Sequence, residues 1–323
     1  MNIKKIGMTA LAASLVSVSA HAGSLSVTGS ASINTEGYSG EHLNGGTTFS
    51  MGNAITFAGS GELDNGMTVS VSYELDEGSN DGSTGHNVWD NHSVTVSSDT
   101  MGTLVFSGHG GSTAANSVGN AGGDIWDTFD GARGGVTAVA QSTAAAGNNS
   151  FFYTLPSVMD GMSIFANYVP QGASGLGGAT GVGVTYTGIE GLTASIATSD
   201  IEGANSGTSG DQTAWKVSYA MGPITAAVGQ SEYDVGTANS DEETSSWSVS
   251  YTVSDEMSVT YATNTLDSAN TSEVDAEYTS LSASYTAGGM TISASMKDGE
   301  NTDHSTSSAA DFEYWSLGAS FAF

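Results

Sequence analysis

Every second connection in this chain is short, and the ones between are long. Segments of about ten residues with apolar and polar side chains in alternation occur at 25–34, 55–60, 67–76, 88–98, 102–108, 149–155, 162–169 and 178–186. They continue at 192–199, 212–220, 224–232, 245–253, 257–265, 276–286, 290–297 and 312–323. Alternation of period two puts successive side chains on opposite faces of a strand. About sixteen strands are therefore predicted. Short links such as Asp64-Asn65-Gly66, Asp99-Thr100-Met101, Gly188-Ile189-Glu190-Gly191, Met221-Gly222-Pro223, Ser254-Asp255-Glu256 and Gly288-Gly289 follow every second strand. Asn and Gly in the first of these tolerate the positive φ of a tight hairpin turn. The long connections are 36–46, 78–86, 110–148, 170–177, 200–211, 234–244, 266–275 and 298–311. A sandwich or solenoid has no reason to gather every long loop at one end. An antiparallel barrel crossing an outer membrane does, because its two rims face different compartments.

The faces agree with that reading. Trp247, Val249, Tyr251 and Val253 share one parity, and Ser246, Ser248, Ser250 and Thr252 the other. In a sandwich the apolar face would be the inner one. In a membrane barrel it faces lipid, and the small polar face lines a wet interior. Tyr73, Tyr168, Tyr186, Trp215, Tyr219, Tyr285 and Trp315 stand towards strand ends, where interfacial girdles form. A hydrophobic content of 38 % is low for a soluble domain of this length. It leaves a disordered secreted chain or a barrel with a polar inner wall, and the periodicity argues against disorder.

The first residues read as a leader. Lys4 and Lys5 precede a mostly apolar stretch at 6–18, and Ala20-His21-Ala22 is a small-x-small cleavage pattern, the marks of a secretory signal peptide. The expected division is a signal peptide at 1–22 and a barrel at 23–323. Beyond residue 22 only Arg133, Lys216 and Lys297 are basic, against all 34 acidic residues, so the mature formal charge is 3 − 34 = −31. Such a field attracts cations, repels nucleic acid and disfavours acidic substrates. The chain has no Cys, which excludes disulfides and thiolate metal sites.

Several segments carry a family resemblance. The closing stretch alternates Trp315, Leu317, Ala319, Phe321 and Phe323 with small or polar residues and ends on Phe323. It resembles the last strand of Gram-negative outer-membrane barrels. Asp64-Asn65-Gly66-Met67, Met101-Gly102-Thr103-Leu104-Val105-Phe106, Tyr153-Thr154-Leu155-Pro156 with Gly161, and Met221-Gly222-Pro223 are similar in order and spacing to general diffusion porins of the alphaproteobacterial type. The likeness covers nearly the whole mature chain. It implies a sixteen-stranded barrel with short periplasmic turns, long outer loops and a third loop folded into the lumen. It further implies a homotrimer among outer-membrane lipids, non-enzymatic passage of small hydrophilic solutes, and a terminal Phe323 read by the barrel-assembly machinery.

The segment 110–148 occupies the third-loop position, and loops of that length are usually functional. Within it, Asp124, Asp127 and Asp130 recur three residues apart, and Ile125 and Phe129 four apart. On a short helix the carboxylates lie near one face and the two apolar residues pack together against the wall. The carboxylates are expected to place negative charge at the constriction, the plainer alternative being solvated loop residues. They are also weak calcium candidates, since hard cations take carboxylate oxygens, although the spacing is not that of an EF-hand; otherwise no metal or cofactor is expected. Arg133 is placed in the same loop, as a partner for Asp130. Glu74 and Asp76 share the inner parity near a loop end, at a negative vestibule, and Lys216 and Lys297 also carry inner parity. Porins of this kind usually face the acidic loop with a basic cluster, and three scattered cations cannot form one. The expectation is a cation-selective pore for small cationic or neutral solutes, with a weak transverse field. The alternative from another class is a secreted or surface adhesin-like β protein without a pore. His42, His86 and His304 in outer loops, and His92 and His109 in or beside strands, have neither metal-ligand nor triad spacing and read as solvated polar residues.

Overall fold

The computed structural model describes residues 24–39, 46–76, 89–129, 148–170, 177–202, 209–235, 241–270, 272–307 and 310–323. Its strands are β1 (Ser24–Ser39), β2 (Gly46–Glu62), β3 (Thr68–Asp76), β4 (His92–Ser98), β5 (Gly102–His109), β6 (Ser150–Thr154), β7 (Met162–Val169) and β8 (Gly178–Tyr186). They continue as β9 (Leu192–Glu202), β10 (Gly210–Met221), β11 (Ile224–Val235), β12 (Glu242–Ser254), β13 (Met257–Ser268), β14 (Ala276–Ala287), β15 (Met290–Glu300) and β16 (Phe312–Ala322). Each strand pairs antiparallel with its sequence neighbours, and β1 pairs with β16, so the sheet closes into a barrel. Closure joins β1 to β16 along Ser30–Ser39, so neither strand is left as an open edge across that length, as a spanning sheet requires. At the seam, Gly29 and Phe323 exchange both backbone hydrogen bonds, at 2.8 and 2.9 Å.

Burial identifies the faces. Ile196 is 52 % exposed and Val182 57 %, whereas Asn264 and Ser199, on the opposite parity, are 0 %. Most large apolar residues of the wall thus point away from the interior; the buried inner positions are polar or small except where Phe165, Val169, Ile201, Tyr233, Val235, Leu266, Tyr278 and Phe312 form apolar patches on the inner side. An apolar belt this continuous is stable against lipid, not water.

Two expectations on the wall are corrected. At both ends the segment 36–46 is strand: β1 runs to Ser39, and β2 begins at Gly46 instead of Ile55, with Tyr38 paired to Gly46. Other hairpins likewise keep pairing at their outer ends, as in β9, β11, β12, β13 and β15. At these outer ends the contrast inverts while the backbone ladder continues: Ile201, Tyr233, Val235 and Leu266 are buried on the inner parity, and Asp200, Glu232 and Asp234 are exposed on the outer one. The strand predicted from residue 88 starts as a regular ladder only at His92, although Asp90 N already donates to the Glu74 carbonyl of β3 at 3.0 Å, and Glu74 N to the Asn91 carbonyl at 2.8 Å. The turns follow their residue chemistry. Gly66 has φ 78° and donates its N–H to the Leu63 carbonyl at 2.8 Å. Asn65 Oδ1 accepts from Met67 N at 3.1 Å.

Candidate functional site

Past β5 the chain leaves the wall and lies back along it. Four of its backbone N–H groups end on side chains of the inner parity. Ala114 N donates to Asn167 Oδ1 of β7 at 2.7 Å, and Ala115 N to Ser199 Oγ of β9 at 3.1 Å. Ala121 N donates to Ser246 Oγ of β12 at 2.9 Å, and Ile125 N to Asn264 Oδ1 of β13 at 2.7 Å. Gln212 Nε2 of β10 donates to Asn116 Oδ1 at 2.8 Å. All five wall residues are buried. A segment without its own ladder must satisfy its N–H groups elsewhere, and here the polar parity of the barrel does so. The approach is close. Gly122 has φ 85°, and a Cβ there would sit 2.4 Å from the Ala262 Cβ.

The far end of this segment is anchored by packing. Trp126–Phe129 form one 3-10 turn. Ile125, Trp126 and Phe129 join Ala262, Leu266, Ala276, Tyr278 and Phe312 in one buried cluster. The Phe129 ring stacks on Tyr278 at 5.7 Å and Phe312 at 6.5 Å between centroids. Ile125 and Phe129 therefore pack together against the wall, as their spacing implies. Beside them Tyr38 Oη donates to the Thr128 carbonyl at 3.3 Å, and Tyr314 Oη to Glu36 Oε2 at 2.8 Å.

The charged residues fall in two groups. Asp124 and Asp127 are exposed. Asp124 Oδ1 accepts from Asn120 Nδ2 at 2.6 Å, and Asp127 lies in the 3-10 turn. Lys216 and Lys297 both carry the inner parity, and the structure sets each next to the segment: Lys216 interacts with the Asp124 charge and Lys297 with that of Asp127. Lys297 Nζ also donates to Thr128 Oγ1 and stands over the Tyr314 ring, 5.6 Å from its centroid. The second group is on β3 and the turn before β4, where Glu74, Asp76 and Asp90 bring carboxylate oxygens within 4.8 Å of one another. Asp90 is 3.6 Å from His109 Nδ1. Asp130 and Arg133 lie outside the described residues. So do His42 and His86. His304, expected in solvent, is buried, and its Nδ1 lies 2.8 Å from the Val274 carbonyl oxygen.

The sequence reading missed Asn167, Ser199, Gln212, Ser246 and Asn264 as partners of the long connection. It also missed Asp90 as the third member of the Glu74–Asp76 group, because that residue is contributed by an irregular turn.

A closed sixteen-stranded wall with an apolar outside and a polar inside defines an outer-membrane β-barrel. The chain matches the Gram-negative porin family over residues 7–323, and it belongs to that family. Among solved structures it is similar to a loop-L8 deletion mutant of OmpT from Vibrio cholerae, with 16 % identity, a TM-score of 0.68, and 94 % of this chain and 100 % of that one covered. It is also similar to a porin refined at 1.8 Å, at 18 % identity, TM-score 0.66 and coverage of 93 % and 100 %. A third is an anion-selective porin from Comamonas acidovorans, at 15 % identity, TM-score 0.63 and the same coverage. No curated protein sequence matches the chain. The protein is thus an outer-membrane diffusion channel of a Gram-negative bacterium, not an enzyme, which sets aside the poreless adhesin alternative.

Proposed function

We propose that this channel prefers cations, with the segment 110–148 folded into the lumen as its constriction. One observation carries the reading. Among the described residues the only lysines are Lys216 and Lys297, and each lies against the loop segment: Lys297 Nζ donates to Thr128 Oγ1, and a Cβ on Gly119 would lie 3.6 Å from Lys216 Nζ. Asp124 and Asp127 remain exposed, Glu36 stands beside the far end of the segment, and β3 with the turn before β4 adds Glu74, Asp76 and Asp90. Rings of carboxylates favour cations, and no basic cluster stands opposite to build a transverse field. An anion-selective porin shares this fold, so the sign of selectivity comes from the lining and not from the barrel. Asp130 and Arg133 belong to the same constriction in this reading, as a further carboxylate and its ion-pair partner. Residues 1–22 are cleaved as a signal peptide, Phe323 directs assembly, and the mature barrel works as a trimer without a resident cofactor. The test is the reversal potential of the reconstituted channel in a KCl gradient. A potential of the sign set by K⁺ is expected, and one set by Cl⁻ refutes the proposal.

A further inference from the structure

Methionine is concentrated at one rim of this barrel. Of the 11 in the chain, Met1 and Met8 lie within 1–22, which leaves nine. Seven of these, Met67, Met101, Met159, Met162, Met221, Met257 and Met290, stand in or next to the short connections, and the long connections hold none. Among the short connections, only the one between β8 and β9 lacks a methionine. The short connections make the periplasmic rim. Met162, Met221, Met257 and Met290 pair with Tyr186, Ile224, Tyr285 and Phe321 on the outer parity, so their side chains face away from the lumen.

Three of the seven are open. Met101, Met159 and Met221 are 61, 53 and 62 % exposed. Met67, Met162 and Met290 are half-buried, and Met67 Sδ accepts from Asn65 Nδ2 at 3.2 Å. At the open positions the backbone is held without the side chain. Met101 N donates to Ser98 Oγ at 3.2 Å, and its carbonyl accepts from Tyr153 Oη at 2.6 Å. The Met159 carbonyl accepts from Met162 N at 3.0 Å, and Met221 pairs with Ile224. The chain has no Cys, so these thioethers are its accessible sulfur groups on that side of the membrane. Exposed thioethers are oxidised to sulfoxides and can be restored.

We infer that the periplasmic rim is a reversible oxidation site, at which Met101, Met159 and Met221 take up oxygen from peroxides. The sulfur attacks the peroxide O–O bond, gains one oxygen and gives up two electrons. With hydrogen peroxide the other product is water. A methionine sulfoxide reductase returns the thioether, one enzyme for each sulfoxide epimer, as two thiols become a disulfide and the oxygen leaves as water. The new oxygen meets water at the rim, so it displaces no packed neighbour and leaves the bore unchanged. Met51 and Met296 are as exposed in the isolated barrel, at 64 and 65 %. They stand on the outer face of β2 and β15, opposite Ile33 and Trp315, where lipid covers them.

The experiment treats the mature protein in phospholipid vesicles with millimolar hydrogen peroxide and follows each methionine by peptide mass spectrometry. Met101, Met159 and Met221 are expected to gain oxygen first. Met51 and Met296 should lag by at least about tenfold, because a hydrogen-bonding oxidant partitions poorly into hydrocarbon. Single-channel conductance and heat-modifiable migration should stay at the untreated values, and the two reductases with a dithiol should remove the added oxygen from the folded barrel. Combining Met101→Leu, Met159→Leu and Met221→Leu, which conserves volume closely, should abolish the fast phase of peroxide consumption. The inference is overturned by lipid-facing methionines that react as fast as the rim, by conductance that falls as the rim oxidises, or by sulfoxides that the reductases do not reach. A fast phase that survives in the triple variant overturns it as well. The mapping uses the unaltered protein and so does not depend on that variant folding. Charge preference is read separately from the reversal potential, so neither result decides the other.

Discussion

Phe129→Ala isolates what holds the segment after β5 on the wall. Phe129 is fully buried between Tyr278 and Phe312, and it comes from the segment while both partners come from the wall. Removing a buried Phe side chain costs about 3–5 kcal/mol when the cavity cannot collapse. A detached segment keeps part of its contacts, since the undocked state is not a fully extended chain, and we take about 2–3 kcal/mol. That multiplies the population in which residues 125–129 are off the wall by roughly 30- to 150-fold, at 1.36 kcal/mol per factor of ten. The four backbone anchors at Ala114, Ala115, Ala121 and Ile125 remain, so the release is confined to the far end. The barrel ladders are untouched, and the heat-modifiable shift on a gel should stay within a few degrees of the parent. In planar bilayers the variant should show larger and noisier current steps, with larger sugars admitted in liposome swelling. If conductance, noise and size cut-off all match the parent, this aromatic stack does not position the constriction.

Asn264→Leu removes the acceptor of the Ile125 N–H and leaves that donor buried without a partner. The expected cost is about 1–3 kcal/mol, with the same electrical phenotype in milder form. Combined with Phe129→Ala the effects should be less than additive, because both act on one segment. Lys297→Met removes one of the two described cations of the lumen, so the reversal potential should move further towards K⁺; a move towards Cl⁻ contradicts the charge assignment. Asp90→Asn relieves repulsion within the Glu74, Asp76 and Asp90 group. It should raise the thermal midpoint at low ionic strength, with the gain fading in high salt; a gain unaffected by salt points to a different cause. Deletion of Phe323 removes both hydrogen bonds to Gly29 and should lower the fraction of folded barrel in membranes.

The barrel was legible because lipid on one side and water on the other impose a period of two on every spanning strand. Trp247, Val249, Tyr251 and Val253 against Ser246, Ser248, Ser250 and Thr252 display both faces at once. The pattern lost its hold where that contrast ends. In β2, Phe49 and Met51 keep the parity of Ile55 and Phe57, but Gly52, Asn53 and Ala54 interrupt the contrast between them, and β2 began nine residues earlier than Ile55. The packing of Ile125 with Phe129 was readable from a spacing of four. The partners of the segment were not, because Asn167, Ser199 and Asn264 are far from it in sequence and only barrel closure brings them under it. Lys216 and Lys297 were assigned to the lumen by parity alone. That each stands against the loop segment depends on where the segment crosses the wall, which no local pattern encodes.

Liposome swelling with polyols and sugars of graded size tests the central claim most directly, a wet bore narrowed by a segment fastened to its own wall. The account predicts swelling that is fast for the smallest solutes and falls steeply with size. Vesicles carrying folded barrels that do not swell in any of them would contradict it.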